Sequence, residues 1–269
     1  KITGYFEAQI TGSLIKTDKY KYPIYGLPKD MIFLNKEDWP NKNIDFNLVG
    51  MLKNNKFIPY YKRDEIDAQK ISAPVLAYGA DKIDVFLLHI QGSGRILLPD
   101  NDVIRLGYAG NNGHKYKSLG RELISKGHLE LSQASWSGIR NWIKNNPDKA
   151  DEVLGVNSRY IFFRKIQNNT NGPIGKMGVG LIPSRSIAVD YRKIPMGLNI
   201  WLDAQGIDKE RIQRIMNTQD TGSAIRGWTR GDFFWGYGNE ALKYAGKMNS
   251  EGFYHIFLPK VVRNNIMPN

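Results

Sequence analysis

The stretch MNTQDTGSAIRGWTRGDFFWGYG, Met216 to Gly238, alternates β-like segments with glycine turns at positions 222, 227, 231, 236 and 238. Asp220 ends one β-like segment, and Asp232 directly precedes Phe233, Phe234 and Trp235. Short strands that meet at glycine corners favour a β-barrel over a sandwich. The stretch therefore predicts a barrel and places two acids at its turns.

The flanking sequence is predicted to be mostly β, with one block of helices. Residues 1–110 are predicted as strands and turns, including a hairpin over IDVFLLHIQGSGRILL, in which His89 is a strand residue. Apolar spacing of three to four residues predicts helices over 116–127, 132–147 and 148–157, with Ser132 as a possible N-cap and Pro147 as a stop. Strands resume after Tyr160, one further helix covers 239–250, and 168–178 is typical of a linker.

Composition limits the classes of protein that the chain can belong to. At 269 residues with 41% hydrophobic and 12% aromatic residues, it is a folded protein, and it has no 18-residue apolar run that would span a membrane. The absence of cysteine excludes disulfides, thiolate metal sites and a cysteine nucleophile. The net charge of +12 indicates a polyanionic partner such as nucleic acid, anionic lipid or an acidic cell-wall polymer, or a general richness in lysine.

The acids are the strongest candidates for chemistry. Glycines near Asp220 let other backbone or a substrate approach, and aromatic residues beside Asp232 predict a raised pKa. Both acids are also compatible with simple turn aspartates. Asp190 ends a strongly apolar strand and can pair with Arg185 or Arg192. No HExxH, GxSxG or P-loop motif is present, and the four histidines lack metal-ligand spacing.

Six ordered blocks carry a family resemblance: GYFEAQITGS, YPIYGLP, HIQGSGRI, IRLGYAGNNGHKYKSLGREL, MGVGLIPSRSIAVDYRKIPMGLNIWL and QDTGSAIRGWTRGDFFWGYGNEALKYAGKM. Together they resemble the membrane-bound lytic murein transglycosylase A family, and the last two resemble the three-aspartate (3D) domain. The resemblance implies a mainly β fold in which residues 1–15 and 169–269 form a double-psi β-barrel. Residues 16–168 would be an inserted, β-barrel-like domain with a few helices, and the active-site groove would lie between the two domains.

The resemblance also implies an activity, cleavage of the MurNAc–GlcNAc β-1,4 bond of peptidoglycan without water, which leaves a 1,6-anhydromuramoyl end. Asp232 would be the catalytic acid and then base, with Asp220 as a supporting catalytic residue. Such chemistry needs no metal or organic cofactor. Candidate substrate contacts are Asp190, Tyr5, Glu7, Gln91 and Trp235.

Partners and location also follow from the resemblance. The expected partners are peptidoglycan glycan strands and other cell-wall enzymes, not nucleic acid. The expected location is the periplasm, with an outer-membrane lipid anchor on a cysteine that this chain lacks. The family often has glycine where this chain has Ser223, a small change from which we expect little effect.

Two other functions remain open from the residues alone. An inverting hydrolase would use Asp232 as acid and Asp220 as a base that activates water. A non-catalytic cell-wall or nucleic-acid binding module would account for the positive charge and the aromatic residues without any reaction. Cleavage that is lost in an Asp232 variant would argue against the second.

Overall fold

Strand β1 (Ile2–Ser13) is continuous. Its glycines suggest from the sequence that the strand is interrupted, but it is not. Position 4 in this strand has to be glycine, because a Cβ atom there would stand 2.6 Å from Trp235 Nε1 and 2.9 Å from the backbone of Ala245. The glycine therefore permits close packing and does not end the strand. The computed structural model describes residues 1–35, 48–68, 71–166, 172–207, 210–222 and 224–258.

The chain divides into two compact units. The first contains Lys1–Gln9 and Gln167–Asn269, and the second contains Ile10–Ile166. Strand β1 contributes residues to both. The domain boundaries expected from the sequence, at residues 15 and 169, remain a prediction about how the chain folds.

The first unit is built on a mixed sheet with one helix. Its other elements are β10 (Ser186–Val189), β11 (Asn199–Gln205), β12 (Arg211–Asp220), β13 (Gly231–Tyr237), α6 (Gly238–Lys247), β14 (Asn249–Ser250) and β15 (Gly252–Ile256). The sheet order is β15-β11-β12-β10-β13-β1, and β1 also pairs with β14. Since β14 and β15 are consecutive, one closing segment joins both edges of the sheet, and the unit is a closed barrel.

The barrel mixes parallel and antiparallel neighbours. Strands β1 and β13 pair in parallel, as do β10 and β12, while β10 and β13 are antiparallel. The double-psi crossing that the resemblance implies remains a prediction. One face of each strand forms the core, in which Ile187, Val189 and Phe233 are almost fully buried. Because side chains alternate along a strand, Ala188 and Asp232 face the opposite way.

The second unit has three small groups of strands and the other helices of the described residues. The strands are β2 (Tyr22–Tyr25), β3 (Ile32–Leu34), β4 (Leu48–Lys53), β5 (Lys56–Pro59), β6 (Val75–Gly79), β7 (Gly94–Leu97), β8 (Val103–Asn111) and β9 (Ile161–Ile166). The helices are α1 (Arg63–Asp67), α2 (Lys82–Gln91), α3 (Leu119–Ser125), α4 (Trp136–Asn145) and α5 (Ala150–Gly155). Strands β3, β4 and β5 form one antiparallel sheet, β7, β8 and β9 pair in that order, and β2 pairs with β6.

Helix α2 corrects the predicted hairpin. Residues 82–91 are helical, so His89 is a buried helical residue and not a strand residue. Asp81 caps the start by accepting a hydrogen bond from the Ile83 N–H at 2.7 Å, and Gly92 ends the helix with a φ of +75°. The run VFLLHI is almost entirely apolar, so its sequence shows neither the two-residue period of a strand nor the 3.6-residue period of an amphipathic helix.

The other helices agree with the sequence pattern in position but not in every cap. Helix α4 begins after Ser135, whose hydroxyl accepts from Gly138 N–H, and not after Ser132. Pro147 starts a short 3-10 turn where a stop is expected. The mainly β fold class is confirmed, and no helix within the described ranges is both long enough and apolar enough to cross a membrane.

Candidate active site

Two acids lie in one row of side chains across the barrel. Ala188 of β10 is the register partner of Asp220 on one side and of Asp232 on the other, and Asp232 is in turn the partner of Thr3 on β1. Residues opposite each other on paired strands face the same way. Two interstrand spacings put the Cα atoms of the acids about 9.5 Å apart. Ala188 stands between them with a methyl group as its side chain and is itself almost fully buried.

A β-bulge brings Asp220 into this row. Ile187 pairs with Thr218 and the next residue, Ala188, pairs with Asp220, so Gln219 is an extra residue in β12. Such a bulge redirects the side chains that follow it. The Gln219 side chain is held by the Ser186 hydroxyl at 2.6 Å, which fixes the bulge.

Asp232 has the environment of a protonated acid. It is partly buried, and burial is the main cause that raises its pKa from 3.8 to about 6. The negative charge of Asp220 raises this pKa further, while the Thr3 hydroxyl, which donates to Oδ1 at 2.5 Å, and the charge of Arg230 lower it.

Asp220 is held by donors on both oxygens. The Tyr5 hydroxyl donates to Oδ2 at 3.0 Å, and the backbone N–H of Lys176 donates to Oδ1 at 2.9 Å. Burial raises the pKa of Asp220, and these hydrogen bonds oppose that shift. The Tyr5 ring also packs on Phe234 with ring centroids 5.2 Å apart, and burial together with Asp220 raises the pKa of its hydroxyl.

Asp190 is fully buried and binds cationic and backbone donors. Arg192 donates from Nε to Oδ1 at 2.9 Å and from NH2 to Oδ2 at 2.8 Å, so the pair is bidentate. Oδ2 also accepts from the Gly227 N–H at 2.9 Å. The hydrogen bonds from Arg192 and then Gly227 hold the pKa of Asp190 well below its usual range. Of the two arginines that the sequence offers as partners, Arg185 instead donates to the Ile215 carbonyl.

The remaining predicted contacts are spread over both units. Glu7 is buried on β1 beside Tyr237 in the strand register. Trp235 is partly buried on β13, where its Nε1 donates to the Met248 sulfur and its ring packs against Phe233 with centroids 4.7 Å apart. Gln91, the last residue of α2, belongs to the second unit. Their roles in substrate binding remain predictions, and Ser223 lies outside the described residues.

Three residues near the acids, Thr3, Ala188 and Lys176, are not identified by any pattern in the sequence. Thr3 and Ala188 are recognisable only once the strands are paired, because their importance depends on what stands opposite. Lys176 lies in the segment expected to be a linker, of which residues 168–171 lie outside the described ranges. Gly175 beside it has no room for a side chain, since a Cβ would stand 2.5 Å from the Gln219 carbonyl. Among the described residues, no group of three or more His, Asp or Glu side chains is placed to hold a metal ion.

Two family matches cover most of the chain. Residues 1–164 match the MltA specific insert domain, and residues 185–258 match the 3D domain. The chain is 30% identical over 261 residues to a membrane-bound lytic murein transglycosylase A homolog of Buchnera aphidicola, a match that covers 94% of this chain and 64% of that protein. It is 30% identical over 253 residues to the Vibrio cholerae membrane-bound lytic murein transglycosylase A, covering 91% of this chain and 61% of the relative. The chain thus spans less than two thirds of the length of these relatives.

Solved structures of the same kind are similar over nearly the whole chain. MltA from Neisseria gonorrhoeae has a TM-score of 0.87 and 35% identity, covering 96% of this chain and 72% of that one. Escherichia coli MltA with bound chitohexaose has a TM-score of 0.76 and 27% identity, covering 95% of this chain and 71% of that one. These likenesses extend through both compact units.

Proposed function

Because this chain belongs to the family that combines the MltA specific insert domain with the 3D domain, we propose that it is a peptidoglycan lytic transglycosylase. It cleaves the MurNAc–GlcNAc β-1,4 bond and leaves a 1,6-anhydromuramoyl end. The observation that carries the proposal is the carboxyl group of Asp232, which has a pKa of about 6 and lies in the glycine-rich segment matched by the 3D domain. An aspartate with its ordinary pKa would be ionised at neutral pH and unable to donate a proton.

One carboxyl group is sufficient for this reaction. Protonated Asp232 gives its proton to the glycosidic oxygen, and the bond from that oxygen to the muramoyl C1 breaks. The muramoyl O6 hydroxyl then forms the new bond to C1, and the Asp232 carboxylate takes the O6 proton. Attack from within the same sugar lowers the barrier by about 7 kcal/mol or more relative to an external nucleophile, so no water has to be activated.

Asp220 acts as a supporting charge in this mechanism. Its two oxygens accept from Tyr5 and from the Lys176 backbone, which hold its carboxylate in place. From that position it stabilises positive charge that develops on the sugar ring in an oxocarbenium-like transition state. It also raises the pKa of Asp232 and so favours the protonated form of the catalytic acid.

An inverting hydrolase is the second candidate, and one observation favours it. The row Asp220, Ala188, Asp232 separates the Cα atoms of the two acids by two strand spacings, about 9.5 Å, which is compatible with the carboxyl separation of about 6.5–9.5 Å in inverting enzymes. Each oxygen of Asp220 accepts one of these hydrogen bonds, from the Tyr5 hydroxyl or from the Lys176 N–H, and keeps a second acceptor position, so the released products decide between the two candidates.

The deciding experiment is mass analysis of the muropeptides released from purified peptidoglycan by the wild type and by Asp232→Asn. A transglycosylase releases products one water lighter than hydrolysis products, and Asp232→Asn releases none. Hydrated products would establish the hydrolase in place of the transglycosylase. Asp232→Asn that still cleaves would remove Asp232 from the mechanism, and glycan binding without cleavage by either protein would leave a binding module.

The substrate and location follow from the same proposal. Peptidoglycan glycan strands are the expected partner, and the binding of chitohexaose by the Escherichia coli protein shows that a related chain holds a β-1,4-linked amino-sugar oligomer. Such a substrate places the enzyme in the cell envelope, on the periplasmic side. The reaction as written uses protons and the substrate's own hydroxyl, so we expect full activity in the presence of a chelator.

A further inference from the structure

The loop tip formed by residues 175–179 holds Lys176 next to one of the two acids. The backbone N–H of Lys176 donates to Asp220 Oδ1 at 2.9 Å, and the following N–H, that of Met177, donates to the Gln219 carbonyl at 3.2 Å. The tip also closes on itself through a backbone hydrogen bond of 3.0 Å between its first and last residues. The point at which the Lys176 side chain leaves the backbone is therefore fixed beside Asp220.

The ammonium group of Lys176 lies against an aromatic ring. The side chain is exposed, and its Nζ is 5.9 Å from the centre of the Tyr191 ring, which is itself half exposed. A cation within about 6 Å of an aromatic ring is attracted to it. The ion pairs of the described part of the first unit involve Arg192 and Arg211 and leave this ammonium out. Its charge is therefore available to a carboxylate of a bound molecule.

The proposed mechanism brings such a carboxylate close to Lys176. Asp220 is proposed to stabilise positive charge on the muramoyl ring, so this ring lies next to Asp220 and to the backbone that holds it. Each muramoyl ring of peptidoglycan carries a stem peptide on its lactyl group, and that peptide has free carboxylates. A flexible four-carbon side chain that starts beside the ring is able to pair with one of them.

On the basis of the proposed function, we propose that Lys176 is a specificity-determining residue, whose ammonium pairs with a stem-peptide carboxylate of the muramoyl residue at Asp220. Tyr191 holds the ammonium in position before the strand binds, which lowers the entropy cost of the contact. The backbone of Lys176 thus supports Asp220, while its side chain binds the peptide. The enzyme prefers peptide-bearing strands to uncharged glycans for this reason.

The test measures the binding of six-sugar ligands by calorimetry at low salt, in the Asp232→Asn variant, which does not cleave them in the proposed mechanism. The first ligand is an alternating GlcNAc–MurNAc hexamer with its stem peptides, and the second is the same hexamer with the peptide carboxylates converted to amides. Chitohexaose is the third. We expect the amide hexamer to bind about fivefold more weakly than the carboxylate hexamer, which is the size of effect that an exposed ion pair produces.

Substitutions separate Lys176 from the general positive charge of the chain. Lys176→Met removes the advantage of the carboxylate hexamer, about fivefold, and changes the Kd of chitohexaose less than about twofold. Lys193→Met is the matched control and changes each Kd less than about twofold. Lys193 is also exposed, but its ammonium lies 5.8 Å from the Trp228 ring, and its backbone N–H donates to the Asp190 carbonyl. Tyr191→Phe, which keeps the ring, binds the carboxylate hexamer as its parent does, and Tyr191→Ala binds it about twofold more weakly.

The proposal is overturned by equal binding of the two hexamers or by an equal loss in Lys193→Met. An equal loss of chitohexaose binding in Lys176→Met also overturns it, because the residue would then act only through its support of Asp220. Binding of none of the three ligands overturns the proposed function together with this inference. Because binding is measured and not cleavage, hydrated products in the muropeptide analysis would overturn the proposed reaction and leave the preference for the carboxylate hexamer standing.

Discussion

Three aspartates of one barrel differ in the surroundings of their carboxyl groups. Asp190 is ion-paired with Arg192, so its pKa lies well below the usual range, whereas burial raises the pKa of Asp232 to about 6. Burial raises the pKa of Asp220, and both of its oxygens accept hydrogen bonds. Such different environments suit different roles: Asp232 for donating a proton, Asp220 for stabilising charge and Asp190 for holding the structure.

At the residue scale, the Thr3 hydroxyl acts on Asp232, the proposed catalytic acid. It donates to the Asp232 carboxylate and lowers its pKa, so its removal in Thr3→Val raises that pKa. In the proposed mechanism Asp232 acts as the protonated acid, so we expect kcat of the wild type to fall as pH rises through about 6 and Thr3→Val to move this fall to higher pH. A pH profile of kcat measures the shift. Thr3→Ser, which keeps the hydroxyl, is expected to retain the wild-type profile, and equal profiles for Val and Ser would contradict the role.

The raised pKa of Asp232 also has a cost in folding stability. A carboxyl group whose pKa is raised on folding stabilises the protein below its unfolded pKa, 3.8, and this contribution is lost as pH rises through about 6. Asp232→Asn does not titrate, so relative to the wild type it gains stability between about pH 4 and pH 6. Two pKa units at about 1.4 kcal/mol each give a limit of about 3 kcal/mol. Urea unfolding from pH 4 to 8 measures the difference, and a difference independent of pH would refute it.

The sequence identifies some residues of the site and not others, for a physical reason. Asp220 and Asp232 are recognisable from the glycines and aromatic residues next to them along the chain. Thr3 and Ala188 act through cross-strand neighbours, and strand register depends on pairings that no local pattern shows. The raised pKa of Asp232 is as predicted, but its main cause is burial of the group.

At the scale of elements, the end of β10 anchors the loop that connects the two acids, residues 221–230. Thr221 Oγ1 donates to the Val189 carbonyl at 2.7 Å, and Gly227 N–H donates to Asp190. The loop is therefore held at two points by adjacent residues of one strand end. We therefore propose that Asp190 positions both Asp220 and Asp232.

Loss of this anchor is expected to lower activity more than stability alone explains. Asp190→Asn breaks the bidentate pair with Arg192 and loosens the loop, and we expect kcat to fall about tenfold because small displacements of a catalytic group are costly. Asp203→Asn is the matched control, since Asp203 forms a similar bidentate pair with Arg211 between β11 and β12. Steady-state rates together with unfolding free energies of both variants give the comparison. Equal losses of kcat would mean that the ion pair matters for stability only.

Elements with a clear period are predictable here, and α2 marks the limit. Helices α3 to α5 have apolar residues at helical spacing, so their positions agree with the pattern. Helix α2 is buried on several sides, with Val85, Leu87 and Leu88 all below 7% exposure. A helix that is buried on several sides has no polar face and therefore no amphipathic pattern in its sequence. Without that pattern, the segment Gly92 to Gly94 resembles a hairpin turn, although Gly92 ends a helix.

At the scale of the whole molecule, the family assignment from six sequence blocks is confirmed by matches that cover residues 1–164 and 185–258. What the blocks alone do not determine is the pairing that closes the barrel, because β1 joins strands that lie more than 200 residues later. Such contacts depend on long-range topology and not on local composition.

The net charge of +12 predicts a salt effect on substrate binding. Carboxylates of the peptidoglycan stem peptides attract a basic surface, and the screening length falls from about 10 Å in 0.1 M salt to about 3 Å in 1 M salt. We expect Asp232→Asn to bind peptidoglycan about tenfold more weakly over that range in a pull-down assay. Chitohexaose carries no charge and serves as the control, so an equal loss for both ligands would contradict the role of charge.

Closure of the barrel by β14 and β15 has a consequence for biosynthesis. Strand β1 hydrogen-bonds to β13, and Thr3 and Asp232 are 229 positions apart in the sequence. At a translation rate of about 5–20 residues per second, β1 leaves the ribosome roughly ten to fifty seconds before its partner exists. During this interval the residues of β1 that pair with β13 are an unpaired edge open to wrong partners, whereas Gly12 and Ser13 of the same strand already have β6 to pair with.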